Sequence, residues 1–193
     1  MLGVLQDQAA TRRLVLVDPV GAASEWLPRL HDTALAFLRD RNPRAHDALA
    51  ALDPARLTEP DPAFHSTYAR TYYPAWFYDQ ELATLFFPPR TTSLTGAAVA
   101  ARLRRDGYDW RDALRALSVP SLVIHGERDL LPAEQSRRTI ALLPDARLRL
   151  LSDCGHMPFW EAADRFFPLV DAFLGTTARS SRTTPPALVP SPR

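Results

Sequence analysis

The chain has 193 residues, 46% of them hydrophobic and 23% charged, and a formal net charge of +1. That is enough for one domain, or a core with a smaller insertion, and it gives no electrostatic reason to expect nucleic-acid or anionic-membrane partners. The single cysteine, Cys154, excludes an internal disulfide and a Cys-based zinc cluster, and no apolar run nears the roughly 20 residues that span a bilayer.

Residues 1–10 read as the end of a helix. Leu14 to Val17 is a short apolar run stopped by Asp18-Pro19, the pattern of a buried strand, and its continuous apolarity suits a parallel sheet covered on both faces. From Ala22 to Trp110 the pattern becomes helical. Leu30, Ala34, Leu35 and Leu38 share one face, and that helix stops at Asn42-Pro43. Further helices are expected at 45–52, halted by Asp53-Pro54, and at 63–72, 77–85 and 95–105, separated by Pro74, Pro88-Pro89 and Gly107. The aromatic stretch Tyr68, Tyr72, Tyr73, Trp76, Phe77 and Tyr78 supplies packing and a candidate pocket wall.

The apolar pattern of a strand returns in Pro-Ser-Leu-Val-Ile-His-Gly-Glu-Arg-Asp (120–129), which ends in a polar loop at Asp129. A helix from Pro132 to Leu143 follows, with Glu134 in its first turn, and Pro144 ends it. A second strand, 147–152, leads into Asp-Cys-Gly-His-Met-Pro-Phe (153–159). A strand–helix–strand unit of this length makes two parallel neighbours whose C-terminal ends share one edge of the sheet. Asp129 and His156 then stand side by side, a carboxylate placed to orient an imidazole. A last helix at 161–174 puts Phe166, Phe167, Val170, Phe173 and Leu174 on one face. Pro168 inside it either kinks it, at a cost of roughly 3 kcal/mol, or marks a start near Phe167. The Pro/Ser/Thr-rich residues 176–193 have no apolar period and are expected to be disordered.

The blocks Val-Ile-His-Gly-Glu-Arg-Asp and Gly-His-Met-Pro-Phe resemble the last two strand ends of the α/β-hydrolase fold, where the chain order is nucleophile, acid, histidine. By that resemblance Asp129 is the acid and His156 the general base. Glu161 matches an acidic position that braces the histidine loop, although Ala163 replaces the family's usual proline after it. Asp18 is a rival acid, since some members carry it after the earlier strand. Asp153 is read as a turn residue, His125 as a satisfied core histidine and Cys154 as a small buried hydrophobe. Cys-Gly-His-Met-Pro-Phe-Trp-Glu is similar to cap-bearing proline iminopeptidases and related esterases.

The implied fold class is α/β: the C-terminal portion of the hydrolase sheet, three parallel strands with flanking helices, plus a helical cap insertion. Residues 1–21 are then a core remnant, 22–110 the cap, 111–175 the C-terminal strands with the acid and histidine loops, and 176–193 the tail. No G-x-S-x-G occurs in the 193 residues, and Ser24, Ser66, Ser93 and Ser121 carry no elbow signature. The expected parent activity is hydrolysis of an ester, amide or short peptide through a nucleophile–His–Asp triad, with no cofactor and no metal. Whether the parent nucleophile is Ser or Asp stays open. The chain as written is expected to be inactive. Alternative readings are a non-catalytic fragment or interaction protein, or a full-length hydrolase whose gene start is set too late. Expected partners are a small-molecule substrate, and a second chain at an open sheet edge. No nucleic acid and no membrane are expected. The N-terminus lacks a signal-peptide pattern, so a cytoplasmic location is expected.

Overall fold

Three short strands, Leu14–Val17 (β1), Ser121–Gly126 (β2) and Ala146–Leu151 (β3), lie parallel in the order β1-β2-β3. This computed structural model describes residues 8–85 and 93–175. Leu14 pairs with Ser121 and Val17 with Ile124, while Ser121 pairs with Ala146 and Gly126 with Leu151. The two-residue period of a strand sends alternate side chains to opposite faces, and both faces are covered. Val15, Val17, Leu122 and Ile124 pack with Phe166, Leu169, Val170 and Phe173 of one helix (Ala163–Leu174). Leu14, Leu16, Val123 and Leu148 pack on the other face with Leu114, Leu117, Ile140 and Leu143. Solvent reaches β3 on alternate residues, Arg147 and Arg149, so its outward row is polar.

Between β1 and β2 the chain forms a helical block. Its helices are α1 (Leu30–Leu38), α2 (Pro43–Ala50), α3 (Pro62–Tyr72), α4 (Gln80–Thr84) and α5 (Leu94–Asp106). Short 3-10 turns occupy Ser24–Arg29, Pro54–Thr58 and Tyr73–Trp76. Entry and exit are tied together: Ser24 N–H donates to the Tyr108 carbonyl at 2.9 Å and Trp110 N–H to the Ala22 carbonyl at 2.8 Å. After this neck come α6 (Arg111–Arg115), α7 (Ala133–Ile140) between β2 and β3, and α8 (Pro158–Glu161) followed by α9 (Ala163–Leu174).

Several helix limits differ from expectation, for local reasons. Asn42-Pro43 begins α2 as well as closing the segment before it: Asn42 Oδ1 accepts the Ala45 N–H at 3.1 Å and Pro43 sits at the first helical position, where no donor is needed. Asp61-Pro62 caps α3 in the same way. The helix expected over 77–85 is only Gln80–Thr84, because Tyr73–Trp76 turns tightly and Asp79 caps the new start. At the C-terminal end, Ala162 (φ −144°) breaks the expected 161–174 helix into α8 and α9, and Pro168 lies within α9, which starts at Ala163 and not near Phe167. Residues 1–7, the Pro88-Pro89 break and the 176–193 tail lie outside the described residues.

The block has its own core, in which Ala34, Leu38, Leu49, Phe64, Tyr68 and Tyr72 pack around Leu130 and Leu131. Those two leucines immediately follow Asp129. The loop at the end of β2 is therefore anchored in the helical block and not only in the sheet.

Candidate active site

Parallel crossovers deliver the C-terminal ends of β1, β2 and β3 to one edge, and each end carries an acid or a base. Asp129 lies three residues beyond β2 and His156 five beyond β3. His156 Nδ1–H donates to Asp129 Oδ2 at 2.8 Å. Asp129 Oδ1 accepts the Leu131 N–H at 3.0 Å, which fixes the carboxylate, and its side chain is shielded from solvent. With Nδ1 holding its proton against Asp129, Nε2 is the ring's free lone pair, and no described residue hydrogen-bonds to it. The sequence-predicted acid and base are thus brought together in bonded contact.

The histidine loop needs its glycine. A Cβ on Gly155 would come within 2.6 Å of the Tyr78 backbone nitrogen, closer than real contacts allow, and 3.0 Å of the Trp76 carbonyl oxygen. That approach lets His156 N–H donate to the Trp76 carbonyl at 2.8 Å. Gly126 is similarly constrained, with the Gly155 carbonyl oxygen 2.1 Å from the position of a Cβ. Two loop backbones therefore cross at these two glycines.

Glu161 joins the same structures. Its Oε2 accepts the Gly155 N–H at 2.8 Å, and its Oε1 accepts the Tyr78 and Asp79 N–H groups at 2.7 and 2.9 Å. Burial raises the Glu161 carboxyl above its ordinary range, while the surrounding amides pull it back. The carboxylate links the histidine loop to the helical block. Trp76 extends that link by stacking on the His156 imidazole, ring centroids 3.9 Å apart. Nothing in the local sequence marks Trp76 as a neighbour of His156 beyond its membership of the aromatic stretch.

Asp18 occupies the end of β1, at a left-handed φ of 42° that terminates the strand. Its side chain is buried, and Oδ1 accepts the Gly126 N–H at 2.8 Å. It does not hydrogen-bond His156; it faces Asp129 and His125, with a ligand-type atom of each within 4.8 Å of the others. Burial first, and then the Asp129 charge, push the Asp18 carboxyl up to about 9. A raised carboxyl pKa is what burial beside a second acid produces.

His125 is fully buried and satisfied. Its Nε2–H donates to the Leu131 carbonyl at 2.9 Å, and the Ser136 hydroxyl donates to Nδ1 at 2.9 Å. Burial holds it neutral by lowering its pKa. With both ring nitrogens of His125 engaged elsewhere, the Asp18–His125–Asp129 group has no imidazole lone pair left for a cation. Cys154 is completely buried beside Leu122 and Ile124, and burial pushes its thiol up to about 12, which suppresses the thiolate that a nucleophile requires. Asp153 takes a left-handed turn conformation, φ 48°, on the surface.

Within the helical block lies a cavity of about 790 Å³. Tyr68, Tyr72, Tyr73 and Trp76 line it, whereas Phe77 is fully buried and Tyr78 lies between the guanidinium groups of Arg41 and Arg128. Trp76 both lines the cavity and stacks on His156, so one side chain connects the cavity wall to the acid–base pair.

The profile of the alpha/beta hydrolase family matches residues 2–169. Among curated proteins, the chain is 32% identical over 98 residues to 2-hydroxymuconate semialdehyde hydrolase of Pseudomonas putida, which is 50% of this chain and 31% of that protein. It is 34% identical over 68 residues to proline iminopeptidase of Lactobacillus delbrueckii subsp. lactis, 35% of this chain and 23% of that protein. The matched part thus spans less than a third of these relatives' own length. Among solved structures, an esterase from Exiguobacterium antarcticum superposes with a TM-score of 0.58 at 18% identity, covering 91% of this chain and 62% of that one. An alpha/beta hydrolase enzyme from a Medee basin deep-sea metagenome library gives 0.56 at 19% identity, covering 93% and 62%. These likenesses concern the fold.

Proposed function

The chain belongs to the alpha/beta hydrolase family, and on that premise we propose that Asp129 and His156 are the acid and general base of a nucleophile–histidine–acid relay that hydrolyses an ester, amide or short-peptide bond. The observation that carries this reading is the 2.8 Å bond from His156 Nδ1 to a shielded Asp129, with Nε2 left open. In such a relay Nε2 takes the nucleophile's proton and returns it to the leaving group. The carboxylate holds the tautomer and stabilises the imidazolium. Glu161 positions the histidine loop through Gly155, and the helical block over residues 22–110 acts as the cap, its cavity receiving the substrate.

The 193 residues contain no G-x-S-x-G, and no described side chain offers His156 Nε2 a proton to abstract. We therefore expect the 193-residue chain alone to leave p-nitrophenyl acetate hydrolysis at the buffer rate, since an oxyanion donor by itself is worth about 100- to 1000-fold in turnover and the nucleophile more. Turnover abolished by His156→Ala would refute the inactivity while supporting the pair. Turnover that survives His156→Ala would refute the pair. Where the genomic frame ahead of Met1 encodes an elbow, the longer product should hydrolyse esters, and Asp129→Asn should lower its turnover by about 10⁴-fold. The outer edge of β1, unpaired among the described residues, is the place for a strand of a second chain. No described helix is long and apolar enough to cross a membrane, and we propose a cytoplasmic location.

A further inference from the structure

The cavity in the helical block carries one charge that nothing answers. Arg104, on α5, lines it and has no hydrogen bond or ion pair among the described residues. Its neighbours Arg102 and Arg105 both pair with Asp106, at 3.5 and 3.2 Å, so that acid is already engaged. Burial lowers the Arg104 guanidinium below its ordinary range, as happens to a cation drawn out of water without a partner.

Four of the polar side chains in the wall are bonded within the protein. His31 Nδ1 and the Tyr68 hydroxyl are 2.8 Å apart. Tyr72 O–H donates to the Leu30 carbonyl at 3.2 Å and His65 Nε2–H to the Glu59 carbonyl at 2.8 Å. Burial lowers the His31 pKa, which keeps that ring neutral, so it neither competes with nor cancels Arg104. Tyr68, Tyr72 and Trp76 follow ring on ring, with centroids 5.7 and 5.1 Å apart, and provide an aromatic floor from the Arg104 side to His156.

We propose that this cavity binds an apolar molecule, aromatic or aliphatic, that ends in a single carboxylate paired with Arg104 while its body lies along Tyr68, Tyr72 and Trp76. A guanidinium presents its donors as a planar fork that matches a carboxylate in two parallel bonds. Of the charged residues in the wall, Arg105 and Asp106 pair with each other, which leaves the single charge of Arg104 to suit a monoanion; a phosphate dianion would leave excess charge buried. As a statement about substrate, this rests on the hydrolase reading, because it is the stack of Trp76 on His156 that brings the far end of the ligand toward the base.

Binding tests it without any turnover. Isothermal titration of the 193-residue chain with 4-phenylbutyrate and with its uncharged amide should show the carboxylate binding roughly 10- to 100-fold more tightly, the range of a charge-assisted pair in a part-buried site. Arg104→Gln should abolish that preference and leave the amide's affinity unchanged, while Arg104→Lys should retain part of it. The inference is overturned if the unsubstituted chain binds the two within twofold, binds neither, or keeps its preference in Arg104→Gln. Since neither His156 nor Asp129 is asked to react, failure here is separate from failure of the hydrolase reading, which the ester assay registers.

Discussion

Asp18 makes the sharpest stability prediction. In the unfolded chain its carboxyl ionises near 3.8; in the fold, burial and the adjacent Asp129 push it up to about 9. Folding between those values therefore takes up a proton. Its pKa is raised on folding, so its contribution to stability is fully present below about pH 4 and is lost as pH rises toward about 9, at about 1.4 kcal/mol per pH unit. At pH 7, roughly three units above the unfolded value, the loss reaches about 4 kcal/mol. Asp18→Asn removes the need for the proton while keeping an oxygen for the Gly126 N–H. The other groups around the site, Asp129, His125, His156 and Glu161, are common to both chains and largely cancel in the difference. Urea unfolding of both chains at pH 5, 6, 7 and 8 should show the advantage of Asp18→Asn growing by about 1.4 kcal/mol per unit. A difference that stays flat, or that shrinks with rising pH, would mean that Asp18 is buried as an anion, and the reasoning from its burial would be wrong.

Other consequences are equally direct. Glu161→Gln replaces one accepting oxygen by a donor facing backbone N–H groups, and should destabilise by about 1–3 kcal/mol in urea and speed hydrogen exchange at Tyr78, Asp79 and Gly155. Unchanged exchange would count against the link. Gly126→Ala forces a Cβ into the Gly155 and Cys154 carbonyl oxygens, 2.1 and 2.4 Å away, and should lower the thermal midpoint by about 6–12 °C, on the order of 3 kcal/mol. A midpoint within a degree or two of the parent would refute the close crossing. Phe77→Ala empties a fully buried site and should cost about 3–5 kcal/mol by the same assay. Pairing at the outer edge of β1 predicts a mass by light scattering that rises with protein concentration; a monomer at every concentration would exclude it.

What the sequence discloses follows from how local each cause is. The strands are legible because runs such as Leu122–Ile124 and Leu14–Val17 have few alternatives once both faces must be covered. Asp129 and His156 are legible together because a parallel crossover leaves little choice about where its strand ends arrive. The pairing of Asn42 with Pro43 is ambiguous locally, since the same two residues stop one helix and start the next. The break at Ala162 has no sequence mark. Contacts between distant segments were the least accessible. Trp76 stacks on His156 only because the helical block folds back over the sheet edge, and no periodicity encodes that return. Likewise the raised pKa of Asp18 comes from its burial first and from Asp129 second, both facts of the sheet and not of either motif.

Glu161 has a kinetic implication. Its two oxygens grip backbone amides on opposite sides of a seam, Gly155 on the histidine loop and Tyr78 with Asp79 on the helical block. Tilting the block away as a rigid lid would have to release two of those three bonds or pull the His156 loop along with it. In the proposed relay, lifting the block therefore costs either those two bonds or the seat of His156. For a ligand of the proposed kind, entry through the cavity wall would cost neither, leaving His156 bonded to Asp129.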